Sequence, residues 1–305
     1  MSAAATWIAG GACAVAAWGT GALVVPFFAH GPAADRTRGA RASVALRFAA
    51  VAVACAAGLA VRGLTLPQGL AWQPLESHAD GLLLMGTFLA VAAAYLVAGP
   101  RLTVPAALVG VVLTAVLSWA VCATSFTDGR FQVDSLSPLW FTLHLGGVYV
   151  GTAAAAVAAG AGAAWLLAEF RLKNRGAGWV EGLSRFASLE RLETLTRHAA
   201  VAGFVTLSIG LAAGVVITAN QPGLVGSVLS PKLVLSVAAY AAFVVAVFFG
   251  TGLGFRSVGE PRRGAWGSIV GFVLLLVVSA VATAWPGGGM GGSDGVQVSA
   301  NGAVR

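Results

Sequence analysis

With 305 residues, 58% of them hydrophobic and only 10% charged, this chain falls far below the roughly 25% charged content of soluble domains. That excludes an ordinary soluble globular protein and implies a polytopic membrane protein. The net charge of +7 does not point to nucleic acid, because the arginines sit in short clusters between apolar runs rather than on one contiguous soluble face.

Apolar windows long enough to span a bilayer occur at about 5–29, 43–61, 80–99, 102–124, 139–168, 199–219, 232–254 and 265–285. The expected architecture is therefore a single all-α bundle of eight transmembrane helices, with no room for a separate soluble domain. The first window lacks the basic start and small-residue cleavage pattern of a signal peptide, so it reads as a span. Cys13, Cys55 and Cys122 all fall inside apolar segments, with no Cys-x-x-Cys and no Cys-x-x-Cys-His. The chain is then neither a thiol–disulfide oxidoreductase nor itself a c-type cytochrome.

Connections are short except 169–198. There Arg185, Glu190, Arg191 and Glu193 alternate with Leu183, Phe186, Leu189 and Leu192, the pattern of an amphipathic helix lying on the membrane surface. The tail 286–305, with Gly287, Gly288, Gly289, Gly291 and Gly292, has no core-forming pattern and is expected to be flexible. Of the 18 Lys and Arg, all but Arg62, Arg130, Lys232 and Arg305 cluster after the first, third, fifth and seventh windows. Positive-inside reasoning places those loops in the cytoplasm and both termini on the outer face.

This orientation gives each histidine a side. His30 and His198 fall at the cytoplasmic boundary, whereas His78 and His144 lie toward the outer face. Asp80, two residues after His78, either orients an imidazole or caps the third helix, and capping is the better reading. Trp72, Trp140 and Trp285 collect on the same side, where tryptophan ordinarily anchors a span at the interface.

The fifth window, opening Leu139-Trp-Phe-Thr-Leu-His144-Leu-Gly-Gly147-Val-Tyr-Val-Gly151, holds an ionisable residue well inside an apolar run. On a helix, His144 shares its face with Gly147, Val148, Gly151 and Ala155, a strip almost without side chains. One reading makes Gly147 and Gly151 a helix-packing face, with His144 hydrogen-bonded to a neighbour. The other makes His144 an axial ligand to a haem lying along a flat glycine wall. Residue chemistry leaves both open. No Walker A sequence, metal-spaced cluster, Gly-x-Ser-x-Gly or transporter-like repeat is present.

The order of several stretches is informative. The fifth window, with its cytoplasmic end Glu169-Phe-Arg-Leu-Lys173, resembles the haem-handling cytochrome c assembly superfamily, including the CcsA-type, CcmC-type and HemX-type membrane proteins. Pro74-Leu-Glu-Ser-His-Ala-Asp80-Gly-Leu82 is similar to that family's Pro-Leu segment before its third helix. Leu189–Leu195, leading to Gly203-Phe204 and Leu207-Ser-Ile-Gly-Leu211, resembles the start of its sixth, and Arg262-Arg-Gly-Ala-Trp266 with Gly271-Phe272 the start of its last. The likeness covers roughly 74–290.

The resemblance implies an assembly factor or haem chaperone rather than an enzyme, in a bacterial-type plasma (inner) membrane, presenting a non-covalent b-type haem at the outer face. Binding should be weak or transient. Its implied partners are membrane lipid and other cytochrome c assembly or haem-pathway proteins, not nucleic acid. His144 corresponds to a haem ligand of the family, with Gly147, Gly151 and Asp80 beside the cofactor and His78 as candidate second ligand.

The family's tryptophan-rich outer loop is reduced to Ser230-Pro-Lys232, and its later histidines fall near Phe248 and Met290. Methionine can ligate haem iron, which makes Met290 a further candidate, though a residue in a glycine-rich tail is the plainer description. Three alternatives stand beside haem handling: a non-catalytic regulator or scaffold acting through 169–198, a small-molecule transporter, and a haem b electron-transfer subunit. The last ordinarily places paired histidines within its helices, and this chain has one.

Overall fold

A computed structural model describes residues 38–64, 78–99, 102–126, 138–173, 187–219, 231–251 and 261–284. Among them the chain is all-helical, with α1 over Arg38–Leu64, α2 His78–Ala98, α3 Thr103–Phe126, α4 Pro138–Lys173, α5 Leu189–Ala219, α6 Pro231–Thr251 and α7 Pro261–Ala284. Six of these helices, all but α6, are long and apolar enough to cross a membrane, and they coincide with six of the eight expected spans. The remaining two are the seventh window, which forms the apolar helix α6, and the window 5–29, which lies outside the described residues, as do the tail and the loop 220–230.

Local chemistry explains the boundaries. Pro138, Pro231 and Pro261 open α4, α6 and α7, where a fixed φ and a missing N–H cost least. Asp80 and Glu190 stand in the first turns of α2 and α5, and Arg171 and Lys173 in the last turn of α4, each matching the helix dipole. Ser188 caps α5: its Oγ accepts from the Arg191 N–H at 3.3 Å and its carbonyl from the Leu192 N–H at 3.1 Å.

Hydroxyls inside the apolar helices donate to the carbonyl four residues back, as Thr87, Thr114, Thr152, Thr196 and Ser268 do. A polar group so satisfied can sit in hydrocarbon without an outside partner.

The bundle is organised around α4. About 67% of its membrane window is buried by other helices, against 33% for α1, α5 and α7. It packs most extensively on α5, then on α7, α2 and α3. Alanines make this possible: Ala153, Ala155, Ala156, Ala158, Ala161 and Ala164 are buried along α4, and small side chains let neighbouring backbones come close where lipid leaves no hydrophobic drive for helix association. The α2–α3 pair with α1 forms one flank and the α6–α7 hairpin the other. Outward-facing apolar residues run at helical spacing, as in Trp266, Val270, Val273 and Val277 of α7.

Of the connection 169–198, residues 174–186, with Leu183, Arg185 and Phe186, lie outside the described residues. Its first residues extend α4 to Lys173, and from Leu189 onward it is continuous with α5. Leu192 is fully buried in the core, with Leu189 and Leu195 packed against it, while Glu190, Arg191, Glu193 and Arg197 are exposed. From Leu189 to Arg197 the stretch is amphipathic, with its apolar side facing the protein. One uninterrupted helix leaves fewer unsatisfied backbone groups than two helices with separate ends.

Candidate functional site

His144 sits in the second turn of α4, partly buried. Its Nδ1 lies 2.7 Å from the carbonyl oxygen of Gly210 on α5. A carbonyl only accepts, so Nδ1–H is the donor, and in the neutral ring the lone pair is left on Nε2. The ring lies close against Gly214 of α5: a Cβ there would come within 2.8 Å of Nδ1 and 2.9 Å of Cε1. Glycine at 214 is what allows the imidazole to lie there.

Below the imidazole the two backbones touch. A Cβ at Gly147 would stand 2.7 Å from Gly210 Cα and 2.8 Å from the Thr206 carbonyl oxygen. One at Gly151 would stand 2.5 Å from Leu207 Cγ, and one at Gly203 would be 3.2 Å from the Gly151 carbonyl oxygen. The strip of Gly147 and Gly151, expected as a wall for a flat cofactor, is therefore filled by a complementary strip on α5, Gly203, Gly210 and Gly214. The physical reason is mutual: two helices lacking side chains on facing strips gain the most van der Waals contact by approaching each other.

Asp80 lies in the first turn of α2 and is buried, 6% exposed. The adjacent Gly81 carries the Tyr149 ring directly over its Cα, where a Cβ would overlap the ring, and Asp80 and Tyr149 interact electrostatically. Tyr149 and His144, five residues apart on α4, thus look to different neighbours, α2 and α5. The helix α2 begins at His78, whose side chain lies outside the described residues, and Met290 lies outside them altogether.

A feature that sequence reasoning did not assemble is the contact between α5 and α6. Tyr240 Oη and Ser208 Oγ are 2.6 Å apart, and Ser208 Oγ also donates to the Phe204 carbonyl at 2.7 Å, so the Tyr240 hydroxyl is the donor to Ser208. Phe204 stacks on Tyr240 at 6.2 Å and meets Phe248 edge to face at 5.8 Å. Phe248, near which the resemblance suggested a histidine position, is thus packed on Phe204. The i, i+4 spacing of Phe204 and Ser208 was the available signal; their partner 32 residues on was not.

Among the described residues no three His, Cys, Asp or Glu side chains converge on a point where they could hold a metal ion. Iron in a porphyrin takes its four equatorial ligands from the macrocycle, so its demand on protein is one or two axial donors. His144 would offer such a donor through Nε2, with the Gly210 carbonyl at Nδ1 in the place an outer partner takes beside a metal-bound imidazole.

The fold and this site define an all-helical protein whose helices suit a multi-pass membrane location. No protein-family model, curated protein or solved structure matches the chain.

Proposed function

We propose that this chain is an eight-span membrane protein of the bacterial-type plasma membrane, with both termini outside, that binds and presents b-type haem at the outer face during cytochrome c assembly. His144 would hold the iron through Nε2. The observation that carries this is the 2.7 Å contact from Nδ1 to the Gly210 carbonyl, which leaves Nε2 as the ring's basic nitrogen on a segment resembling one whose histidine is a haem ligand. Haem supplies the iron and the macrocycle; the protein holds, orients and releases it, and no catalytic residue is assigned.

Two features of the chain bear on how it does so. Gly147 and Gly151 hold α4 against α5 and so fix the imidazole that would hold the iron. With no tryptophan in the loop 220–232, aromatic contacts worth on the order of 1 kcal/mol each are lost, and binding is weak. His78 is the candidate second ligand, Asp80 stands two residues from it, and Met290 remains a lesser candidate. Other assembly or haem-pathway proteins supply or receive the cofactor.

A second reading is favoured by the completeness of the α4–α5 packing. In it His144 is only an interhelical clasp, and the protein is a non-catalytic regulator or scaffold. Titrating the purified protein with haem in detergent separates the two: a Soret band that His144→Ala removes and His78→Ala weakens is expected, and a wild-type spectrum no different from that of His144→Ala would leave the clasp alone.

A further inference from the structure

Tyr149 is the large side chain that α4 sends to the first turn of α2. Its ring lies over Gly81, where a Cβ would overlap it, and further along the same face of α4 Ala153 and Ala156 are buried. Five residues on from Gly81, Gly86 meets Leu117 of α3; eight residues back along α3, Val109 meets Gly160 of α4. The three contacts fit together when α2 and α4 run in the same direction. Glycine at 81 therefore lets the ring rest on the α2 backbone, and the ring sets the register of the two helices there.

That register carries the first residue of α2 with it. His78 stands three residues before Gly81, about 4.5 Å along the axis, and His144 five before Tyr149, about 7.5 Å. The backbone positions of the two histidines thus lie within about 3 Å of each other in level along the bundle. They are closer still once the lean of a helical side chain toward its N-terminus is counted, because Tyr149 then covers the turn before its own Cα. One helix serves both neighbours: α4 clasps α5 through Nδ1 of His144 and seats α2 through the ring of Tyr149.

We propose that Tyr149 is a positioning residue: its ring on Gly81 fixes the first turn of α2 so that His78 stands level with His144. Loss of the ring frees the start of α2 and leaves the α4–α5 seam in place, because that seam is made by Gly147, Gly151, Gly203 and Gly210. The consequence for haem rests on the function proposed above: two imidazoles at one level can serve one iron, and a displaced His78 leaves it with His144 alone. The placement itself belongs to the haem-free protein.

The test uses the full-length protein in nanodiscs, with Cys13, Cys55 and Cys122 replaced by alanine and nitroxide pairs read by double electron–electron resonance. One pair, Ala79→Cys with Leu139→Cys, reads α2 against α4. The other, Leu139→Cys with Val215→Cys, both exposed positions, reads α4 against α5. Tyr149→Ala should broaden and shift the first distance distribution and spare the second, whereas Tyr149→Phe should match the wild type in both. Gly81→Ala, whose Cβ displaces the ring, should act like Tyr149→Ala, and it reads the same contact if Tyr149→Ala does not insert. On haem titration the unlabelled wild type and Tyr149→Phe should give a six-coordinate spectrum. Tyr149→Ala, like His78→Ala, should give a weaker five-coordinate one that keeps its Soret band through His144. A first distribution unchanged by Tyr149→Ala, or both distributions broadened alike, would overturn the proposal, as would a Tyr149→Ala spectrum that stays six-coordinate. A wild type with no Soret band would instead remove the function proposed above, and the distances alone would then decide on Tyr149.

Discussion

On one side α5 meets α4 backbone to backbone, with Gly203, Gly210 and Gly214 against Gly151, Gly147 and His144. On the other it meets α6 far more sparingly, through the rings and hydroxyls of Phe204, Ser208, Tyr240 and Phe248. Apart from Leu207 against Gly151, the first seam is backbone against backbone and cannot yield, so it sets the depth and direction of His144. The second is built from side chains that can turn, and it leaves Phe248 42% exposed. A helix in lipid can thus be held rigidly on one face and adaptably on the other, and the polar candidate lies on the rigid face.

Substitutions at the seams sharpen that contrast, and equilibrium unfolding of the protein in mixed micelles reads them. Gly147→Ala should be the most damaging, costing about 2 kcal/mol, because the new Cβ would press on the Gly210 and Thr206 backbones. Gly151→Ala should cost about 1 kcal/mol, since the nearest atoms belong to the Leu207 side chain, which can rotate away. Equal costs at 147 and 151 would mean that the seam adjusts throughout.

Across the other seam, Tyr240→Phe removes the 2.6 Å contact to Ser208. It should cost only about 0.6 kcal/mol, the typical worth of an interhelical hydrogen bond in a membrane. A loss larger than that of Gly147→Ala would reverse the ranking of the seams. Gly146 provides the control: nothing lies within 4 Å of a Cβ built there. Gly146→Ala should be neutral or stabilise by about 0.5 kcal/mol through helix propensity alone.

Six spans were legible because an apolar run of that length has few other uses, and the windows agree with the helices to within a few residues at most ends. The exception is the start of α5, ten residues earlier than expected. Glu190, Arg191, Glu193 and Arg197 interrupt the apolar run there, yet Leu189, Leu192, Leu195 and Thr196 keep the core face of the helix continuous. A window that averages hydropathy misses what periodicity retains.

The site was half legible. His144 stood out as an imidazole in an apolar run, and Gly147 and Gly151 as a strip, but a strip does not say what it meets. Its partner was visible as the spacing of Gly203, Gly210 and Gly214, without a signal to pair the two. The protonated nitrogen of His144 was beyond reach from sequence, because it depends on a carbonyl 66 residues away.

The central claim is that His144 does two things with two nitrogens: Nδ1 clasps α5 and Nε2 takes iron. Asparagine can donate from nearly the Nδ1 position but has no second nitrogen to offer a metal. Haem titration and unfolding of His144→Asn beside His144→Ala and the wild type therefore test the claim most directly. His144→Asn should keep close to wild-type stability while losing the Soret band, and His144→Ala should lose both. A Soret band in His144→Asn equal to that of the wild type would contradict the assignment of Nε2 as the ligand.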